Sequence, residues 1–190
     1  MKLTNMRIIS GTKKGKKILL PDASVTRPLK DNVKENIFNI LTHNRDFKIN
    51  FKDINVIDFF SGSGSFGLEC LSRSAKKVFF LESNSKTQNT LFRNLSNNFP
   101  KYKYEICKKD FFKLNKSSLI ENFKPKIIFF DPPYAIENFD KIYEFINSLK
   151  NLKDTLLILH IEKSRHIYFE NFKFNSEKIY GISKIVFLRN

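Results

Sequence analysis

Short apolar runs alternate with amphipathic stretches along most of this 190-residue chain. The run Ile127–Phe130 contains only β-branched and aromatic residues, which predicts a strand buried on both faces. In residues 31–43 the apolar side chains recur at helical spacing, from Val33 through Ile37 to Leu41. That spacing predicts an amphipathic helix with one apolar side.

The same patterns predict five strand–helix units and a closing hairpin. Predicted strands span residues 54–60, 78–81, 102–107, 127–130, 155–161, 172–175 and 183–188. Predicted helices span residues 31–43, 66–73, 85–98, 117–123 and 136–149. The last two strands are too close together for a crossover helix, so we expect them to pair antiparallel. The alternation predicts an α/β fold with a doubly wound sheet.

A basic hairpin is predicted ahead of the first helix. Residues 7–10 and 16–20 are β-prone, and two glycines bracket the loop between them. Its candidate nucleic-acid contacts are Arg7, Lys13, Lys14, Lys16 and Lys17. Such a ribbon is suited to a phosphate backbone, and a merely solvated lysine face is the alternative.

The strand Ile127–Phe130 ends in a sequence with chemical potential, Asp131-Pro132-Pro133-Tyr134. Ligands bind outside the carboxyl ends of strands in open parallel sheets. The prolines remove backbone donors and fix φ, so this segment presents a carboxylate, carbonyls and an aromatic ring. These groups suit a planar base with an exocyclic amino group. A simple strand end with a surface tyrosine is the alternative.

A glycine loop follows the first strand of the alternating region. Gly62, Gly64 and Gly67 form G-x-G-x-x-G between a predicted strand and helix, and Glu82 lies twenty residues after Gly62. Glycines let the backbone approach a ligand, and an acid at that distance binds ribose hydroxyls. The pattern therefore predicts a nucleoside-containing cofactor.

The charge beside this loop favours one class of cofactor. Asp58 precedes the glycines, where a carboxylate would repel a pyrophosphate but attract an ammonium or sulfonium group. This favours S-adenosylmethionine over a dinucleotide, although a turn-capping role for Asp58 competes. Asp110 and Phe111, after the third strand, are candidates for an adenine acceptor and an apolar wall.

Composition narrows the partners. A net charge of +15 and a pI near 9.8 indicate a polyanionic partner, most plausibly nucleic acid, although AT-rich codon bias would also raise the lysine count. No segment has the apolar length of a membrane span, and no signal peptide is evident. We therefore expect a cytoplasmic protein, and we also expect it to be a monomer. His43, His160 and His166 form no metal-ligand pattern, so no metal is expected.

The chain resembles the RsmD-type methyltransferases, which methylate guanine N2 in small-subunit ribosomal RNA. The resemblance rests on the hairpin Arg7–Gly11 with Gly15, on Thr26-Arg27-Pro28, on residues 33–41 and 58–69, on Asp131–Tyr134 and on Tyr180-Gly181. Departures include Lys16 and Lys17 where arginine is common, Asn32 and Asn36 in the helix, and Ser61 where alanine is usual. These departures concern RNA contacts more than chemistry.

The resemblance implies a class I S-adenosylmethionine-dependent methyltransferase fold, with strand order 3-2-1-4-5-7-6 and strand 7 antiparallel. It divides the chain into an RNA-binding hairpin and helix extension, residues 1–44, and a methyltransferase domain, residues 45–190. Arg27 joins the RNA contacts, and Ser61 joins the cofactor-binding set.

Together with these residues, the resemblance implies methylation of guanine N2 in small-subunit (16S) ribosomal RNA, either naked or within a ribosomal particle. Three alternatives stay open. A DNA adenine-N6 methyltransferase shares the catalytic tetrapeptide, but 190 residues leave little room for a target-recognition region. A non-catalytic ribosome-assembly factor could keep the fold, and a nicotinamide oxidoreductase is the most distant alternative.

Overall fold

The computed structural model describes residues 6–21, 29–169 and 171–190. Its strands are β1 (Asn55–Phe59), β2 (Lys77–Leu81), β3 (Tyr104–Cys107), β4 (Ile127–Phe130), β5 (Leu156–Glu162), β6 (Phe174–Tyr180) and β7 (Ser183–Arg189). Its helices are α1 (Asp31–His43), α2 (Ser65–Ser72), α3 (Ser85–Ser96), α4 (Lys116–Phe123) and α5 (Phe139–Ser148). The seven strands and five helices predicted from residue 31 onward are all present, and α1 and β4 have the predicted bounds.

The strands form one sheet in the order β3-β2-β1-β4-β5-β7-β6. Strands β1 to β5 pair in parallel, and β7 runs antiparallel between β5 and β6. The order and the antiparallel seventh strand are confirmed. The order reverses at β1 and β4, so the carboxyl ends of these neighbours flank the switch point where a doubly wound sheet binds its ligand.

Three predicted elements begin at least two residues later than expected: α5, β6 and β3, whose start at Tyr104 follows a 3-10 turn over Lys101–Lys103. The helix α5 starts at Phe139 rather than Ile136, because residues 135–138 form turns after the Pro-Pro segment. The strand β6 begins at Phe174 and continues to Tyr180 through polar residues that resemble a loop in the sequence. As an edge strand it pairs only with β7 and leaves most of its side chains in water, so it needs little hydrophobic signal.

The core lies in two layers, one on each face of the sheet. Alternate strand residues divide between them: Val56 and Phe129 contribute to one layer, and Ile57 and Phe130 to the other. The first layer is covered by α1, α2, α3 and the N-terminal hairpin, and the second by α4 and α5. Phe66 of α2 stacks on Phe129 with ring centroids 4.0 Å apart, which fixes the start of α2 against β4.

The N-terminal hairpin is present, but its ladder is reduced to the Arg7–Lys17 bridge, with flanking hydrogen bonds such as Ile8 N–H to Lys16 O at 2.9 Å. The apolar side chains of Met6, Ile8 and Ile18 enter the first core layer. The hairpin therefore packs directly on the sheet domain, and the boundary at residue 44 stays a prediction.

A buried carboxylate holds the hairpin on α2. The Glu69 side chain is 0% exposed and accepts the backbone N–H groups of Ile9 at 2.7 Å and Ser10 at 2.9 Å. At Gly11 (φ +80°) an added Cβ would come within 2.0 Å of Ser72 O. The loop thus lies against the last turn of α2 too closely for any side chain.

Candidate functional site

A cavity of about 530 Å³ opens at the carboxyl ends of the parallel strands. It brings together most of the side chains predicted for cofactor and base: Asp58, Ser61, Gly62, Glu82, Asp110, Phe111, Asp131, Pro132, Pro133 and Tyr134. Among the described residues that line it, four are carboxylates and one, Lys109, is a cation. The wall is therefore strongly acidic in a protein whose net charge is +15.

Asp58 sits on β1, 1% exposed, where an alternating strand would normally place an apolar residue. Its Oδ2 accepts the backbone N–H of Gly67 at 3.0 Å, at the start of α2. Burial raises the pKa of this carboxyl well above its usual range, and the nearby charges of Asp131 and Glu82 act in the same direction, while the Gly67 hydrogen bond opposes them. The Asp58 charge thus carries a desolvation penalty that a cation in the cavity would offset.

The glycine loop presents backbone to the cavity at Gly62. This residue has φ +55°, and a Cβ added there would meet nothing within 4 Å. Its N–H donates to Glu82 Oε2 at 2.9 Å, and Asn84 N–H donates to Oε1 at 2.8 Å. Burial raises the pKa of Glu82, while these backbone donors lower it. Glu82 is therefore oriented by the loop, with lone pairs left for ligand hydroxyls.

Ser61 links the carboxyl ends of β1 and β2 through hydrogen bonds. Its N–H donates to Leu81 O at 3.0 Å, and its hydroxyl donates to Asp58 O at 2.6 Å. The remaining glycines act on packing. Gly64 (φ +79°) caps α2, and a Cβ there would come within 2.5 Å of Leu91 Cδ1. Gly64 is not among the described residues that line the cavity.

Asp110 and Phe111 form the third wall. Asp110 Oδ1 accepts Phe112 N–H at 2.8 Å and so caps the short turn Phe111–Lys113. The Phe111 ring meets Phe59 edge-on at 5.2 Å and lies 5.0 Å from Phe60. The position offers an apolar surface next to a carboxylate, as an adenine site requires.

Asp131 lies one residue beyond β4, and its N–H still donates to Phe59 O at 3.3 Å. Its Oδ1 is 2.8 Å from Nδ1 of His160 on β5. The sequence analysis gave His160 no functional role, yet its imidazole contacts the candidate catalytic carboxylate. The strand register contained the signal: Phe130 pairs with Leu159, so the next residues along each strand are Asp131 and His160.

The Pro-Pro segment is also tied to the loop after β5. Arg165 donates to the backbone oxygen of Tyr134 at 2.6 Å, and its guanidinium lies 4.2 Å from the centroid of the Phe139 ring. Ile136 N–H donates to Pro133 O at 3.0 Å. Sequence reasoning missed Arg165, since nothing local links it to Tyr134.

The basic hairpin lies apart from the cavity. Arg7, Lys14, Lys16 and Lys17 are exposed and Lys13 is half-buried. The loop sits at the last turn of α2, about 12 Å along the helix from the glycine loop. The chain then returns towards the cavity, which Pro21 lines. Arg27 falls outside the described residues.

Asn94 of α3 links this returning segment to the glycine loop. Its Nδ2 donates to Leu19 O and to Ser63 O, both at 2.9 Å, and its Oδ1 accepts Leu19 N–H at 2.8 Å.

Within residues 6–21, 29–169 and 171–190, no helix combines the length and apolarity needed to cross a bilayer. Across those same ranges, no three His, Cys, Asp or Glu side chains are grouped to hold a metal.

Comparison with known proteins covers nearly the whole chain. The family described as Conserved hypothetical protein 95 matches residues 6–189. Ribosomal RNA small subunit methyltransferase D of Haemophilus influenzae is 31% identical over 185 residues, which cover 93% of this chain and 90% of that protein. The protein of the same name from Buchnera aphidicola subsp. Acyrthosiphon pisum is 32% identical, and the match covers 90% of this chain and 81% of that protein.

The likeness extends to a solved structure. The protein named "Putative methyltransferase yhhF" from Escherichia coli has a TM-score of 0.73 at 26% identity, and the match covers 97% of this chain and 98% of that chain. At that coverage the similarity spans the hairpin as well as the sheet that carries the cavity.

Proposed function

This chain belongs to the RsmD family of methyltransferases, and from that premise we propose that it methylates the N2 amino group of a guanine in small-subunit ribosomal RNA. Its activity is S-adenosylmethionine-dependent methylation of ribosomal RNA. The choice of guanine N2 is supported by the groups around Asp131. The observation that carries the proposal is an acidic cavity in which Asp131 faces the glycine loop across the switch point of the sheet.

The cavity fits S-adenosylmethionine by its chemistry. When bound, this cofactor supplies an electrophilic methyl group on a sulfonium sulfur, and it carries an ammonium group rather than a pyrophosphate. Asp58 would hold the positive end, Glu82 would accept ribose hydroxyls, and Asp110 with Phe111 would hold the adenine. The excess of carboxylates in the wall disfavours a dinucleotide, whose phosphates would be repelled.

Asp131 would act as an acceptor that orients the amino group. The lone pair of guanine N2 is delocalised into the ring, so the nitrogen is a weak nucleophile. A carboxylate oxygen and the Pro132 carbonyl would accept its two hydrogens and direct the lone pair at the methyl carbon. Methylation would make N2 acidic, and Asp131 or water would then accept its proton. Most of the rate enhancement then comes from proximity and orientation.

Tyr134 would stack on the target base. Its ring is half-buried at the cavity wall, and its backbone is tied to Arg165. Stacking of a base on an aromatic side chain contributes roughly 1–3 kcal/mol. Because a base within a helix cannot reach this wall, the target guanine must be unpaired or flipped out.

The hairpin is our proposed RNA contact outside the cavity. Its exposed cations are separated from the glycine loop by about one length of α2, so they would bind the phosphate backbone rather than the target base. Glu69 and Ser72 hold this loop against α2 by accepting its backbone N–H groups. The cations would therefore orient the RNA without an ordering cost in the loop itself.

The proposal is tested by identifying the methylated nucleoside. Small-subunit particles and naked 16S RNA from cells that lack this activity are incubated with the protein and labelled S-adenosylmethionine, and the RNA is digested for mass spectrometry. We expect N2-methylguanosine. A methylated adenine would point to the chemistry of the DNA adenine enzymes. Binding to the particle without any methyl transfer would support the assembly-factor alternative and overturn the proposal.

A further inference from the structure

We propose that His160 is a positioning residue for methyl transfer: its imidazole holds Oδ1 of Asp131 and thereby directs the other carboxylate oxygen at the amino group of the substrate. This inference rests on the proposed function, since it assigns a role within the same reaction. It concerns a side chain that is not among the described residues lining the cavity and would act only through Asp131.

The sheet places the two side chains on the same face. Along β5, Leu156 and Ile158 enter the first core layer, whereas Leu157 and Leu159 enter the second. The period of two puts His160 on the first side. Asp131, one residue beyond the end of β4, continues the alternation of that strand, two residues after Phe129 of the first layer. The contact at 2.8 Å is thus fixed by two neighbouring parallel strands rather than by a loop.

The two side chains of this contact are buried to different extents. The His160 side chain is 4% exposed and that of Asp131 is 16% exposed. The imidazole therefore lies behind the carboxylate, which itself reaches the cavity. Since an ionised carboxylate only accepts, Nδ1 must carry the proton and donate to Oδ1. His160 also pairs in register with Ile185 of β7, which holds its backbone on the side away from β4.

This arrangement removes the main freedom of an aspartate side chain. The terminal torsion of aspartate is broad and roughly two-fold, so an unsupported carboxylate would sample many directions. With Oδ1 held by a buried donor, Oδ2 keeps one direction. Proximity effects depend on such alignment, and a misplacement of about 1 Å can cost on the order of 100-fold in rate.

Three substitutions distinguish positioning from simple packing. His160→Leu removes the donor but keeps an apolar side chain in the core. His160→Asn keeps a nitrogen donor attached to Cγ, as Nδ1 is in histidine. His160→Gln carries its amide one bond further out and misplaces the donor. The matched control is His43→Leu, at the exposed end of α1.

The assay is single-turnover methyl transfer to small-subunit particles at saturating protein and cofactor. We expect His160→Leu to lose about 10–100-fold in rate, with His160→Gln similarly impaired and His160→Asn recovering most of the loss. The Kd for S-adenosylmethionine, the KM for particles and the thermal midpoint of unfolding should change little in His160→Asn. The control should transfer at the wild-type rate.

A double-mutant cycle provides the sharper test. If His160 acts only through Asp131, His160→Leu should cost nothing further in an Asp131→Ala background. Additive losses would assign His160 to general packing and overturn the inference, as would an undiminished rate in His160→Leu or equal losses in the Leu and Asn variants. Wild-type protein that transfers no methyl group would instead overturn the proposed function together with this role.

Discussion

On the β1–β2 side of the cavity the carboxylates are held by backbone N–H groups, whereas on the β4–β5 side Asp131 is held by a side chain. Asp58 accepts from Gly67, and Glu82 accepts from Gly62 and Asn84. Asp131 instead meets the imidazole of His160. We refer to these regions as the cofactor half and the base half.

The difference indicates how each half is made. Backbone donors come with the path of the chain, so the cofactor half depends on loop geometry, and its weak points are glycines. The base half depends on the identity of a few side chains. Substitutions should therefore affect cofactor affinity in one half and the rate of transfer in the other, with little crossover.

The largest effect is expected at Asp131. Asp131→Ala removes both the acceptor and its charge, so the single-turnover rate should fall by about 10²–10⁴. Asp131→Asn keeps an acceptor oxygen but loses the charge, so its rate should lie between those of the wild-type protein and Asp131→Ala. Calorimetric affinity for S-adenosylmethionine should stay near wild type. Transfer at a near wild-type rate in Asp131→Ala would remove Asp131 from the mechanism.

The reciprocal change is at Gly62. A valine there would project into the open space of the cavity, and we expect cofactor affinity to fall by about 100-fold or more, at least about 2.8 kcal/mol. The left-handed backbone would also cost the fold about 1–2 kcal/mol.

Gly181→Val separates these two effects. Gly181 has φ +60° and, like Gly62, no atom within 4 Å of an added Cβ, but it lies in the turn between β6 and β7. It should show the same loss of stability and unchanged cofactor affinity, as measured by urea unfolding and calorimetric titration. Equal affinities in the two variants would place the cofactor away from the glycine loop. Gly64 is unsuitable for this test, because a side chain there would disturb Leu91 in the core.

A smaller change should leave both halves intact. Replacing Lys14, Lys16 and Lys17 with alanine should weaken RNA binding and reduce its salt dependence. The slope of log K against log salt should fall by about 0.7 for each single-strand phosphate that is no longer neutralised, or by about 0.9 on a duplex. Cofactor affinity should not change. The check is fluorescence titration with ribosomal RNA at several salt concentrations, and an unaltered slope would mean that these cations are only solvated.

The smallest effect concerns the stability of the cofactor half. A carboxyl whose pKa is raised by folding contributes stability that is fully present at pH values below its unfolded pKa, near 3.9. That contribution is lost as pH rises through the folded pKa. Since burial raises the pKa of Asp58, Asp58→Asn should be more stable than wild type at neutral pH. The advantage should shrink as pH falls towards about 4.

Urea unfolding at a series of pH values measures this difference. The exposed Asp140→Asn, on the first turn of α5, is the matched control and should show no comparable trend. A difference between Asp58→Asn and wild type that stays constant with pH would mean that the Asp58 charge carries no desolvation penalty.

Local spacing in the sequence was enough to predict most of the strands and helices of this molecule. The runs of β-branched and aromatic residues located β4 and its neighbours, and helical periodicity located α1 with its observed bounds. The glycine spacing and the position of Glu82 predicted that both belong to one cofactor site, and the hydrogen bond from Gly62 N–H to Glu82 brings the loop and the carboxylate together. Each of these inferences uses residues close in the chain or an established strand–loop–helix pattern.

The partners that decide the base half came from the packing of distant segments. His160 and Arg165 lie about thirty residues from Asp131 and Tyr134, and Glu69 meets the hairpin sixty residues away. No local pattern encodes these contacts, because they depend on which strands are neighbours and on their register. A shift of one residue in the register of β5 would turn His160 to the opposite face of the sheet. The order of residues alone was enough to place Asp131 at the end of a buried strand, and the packing of β4 against β5 decided what holds its carboxylate.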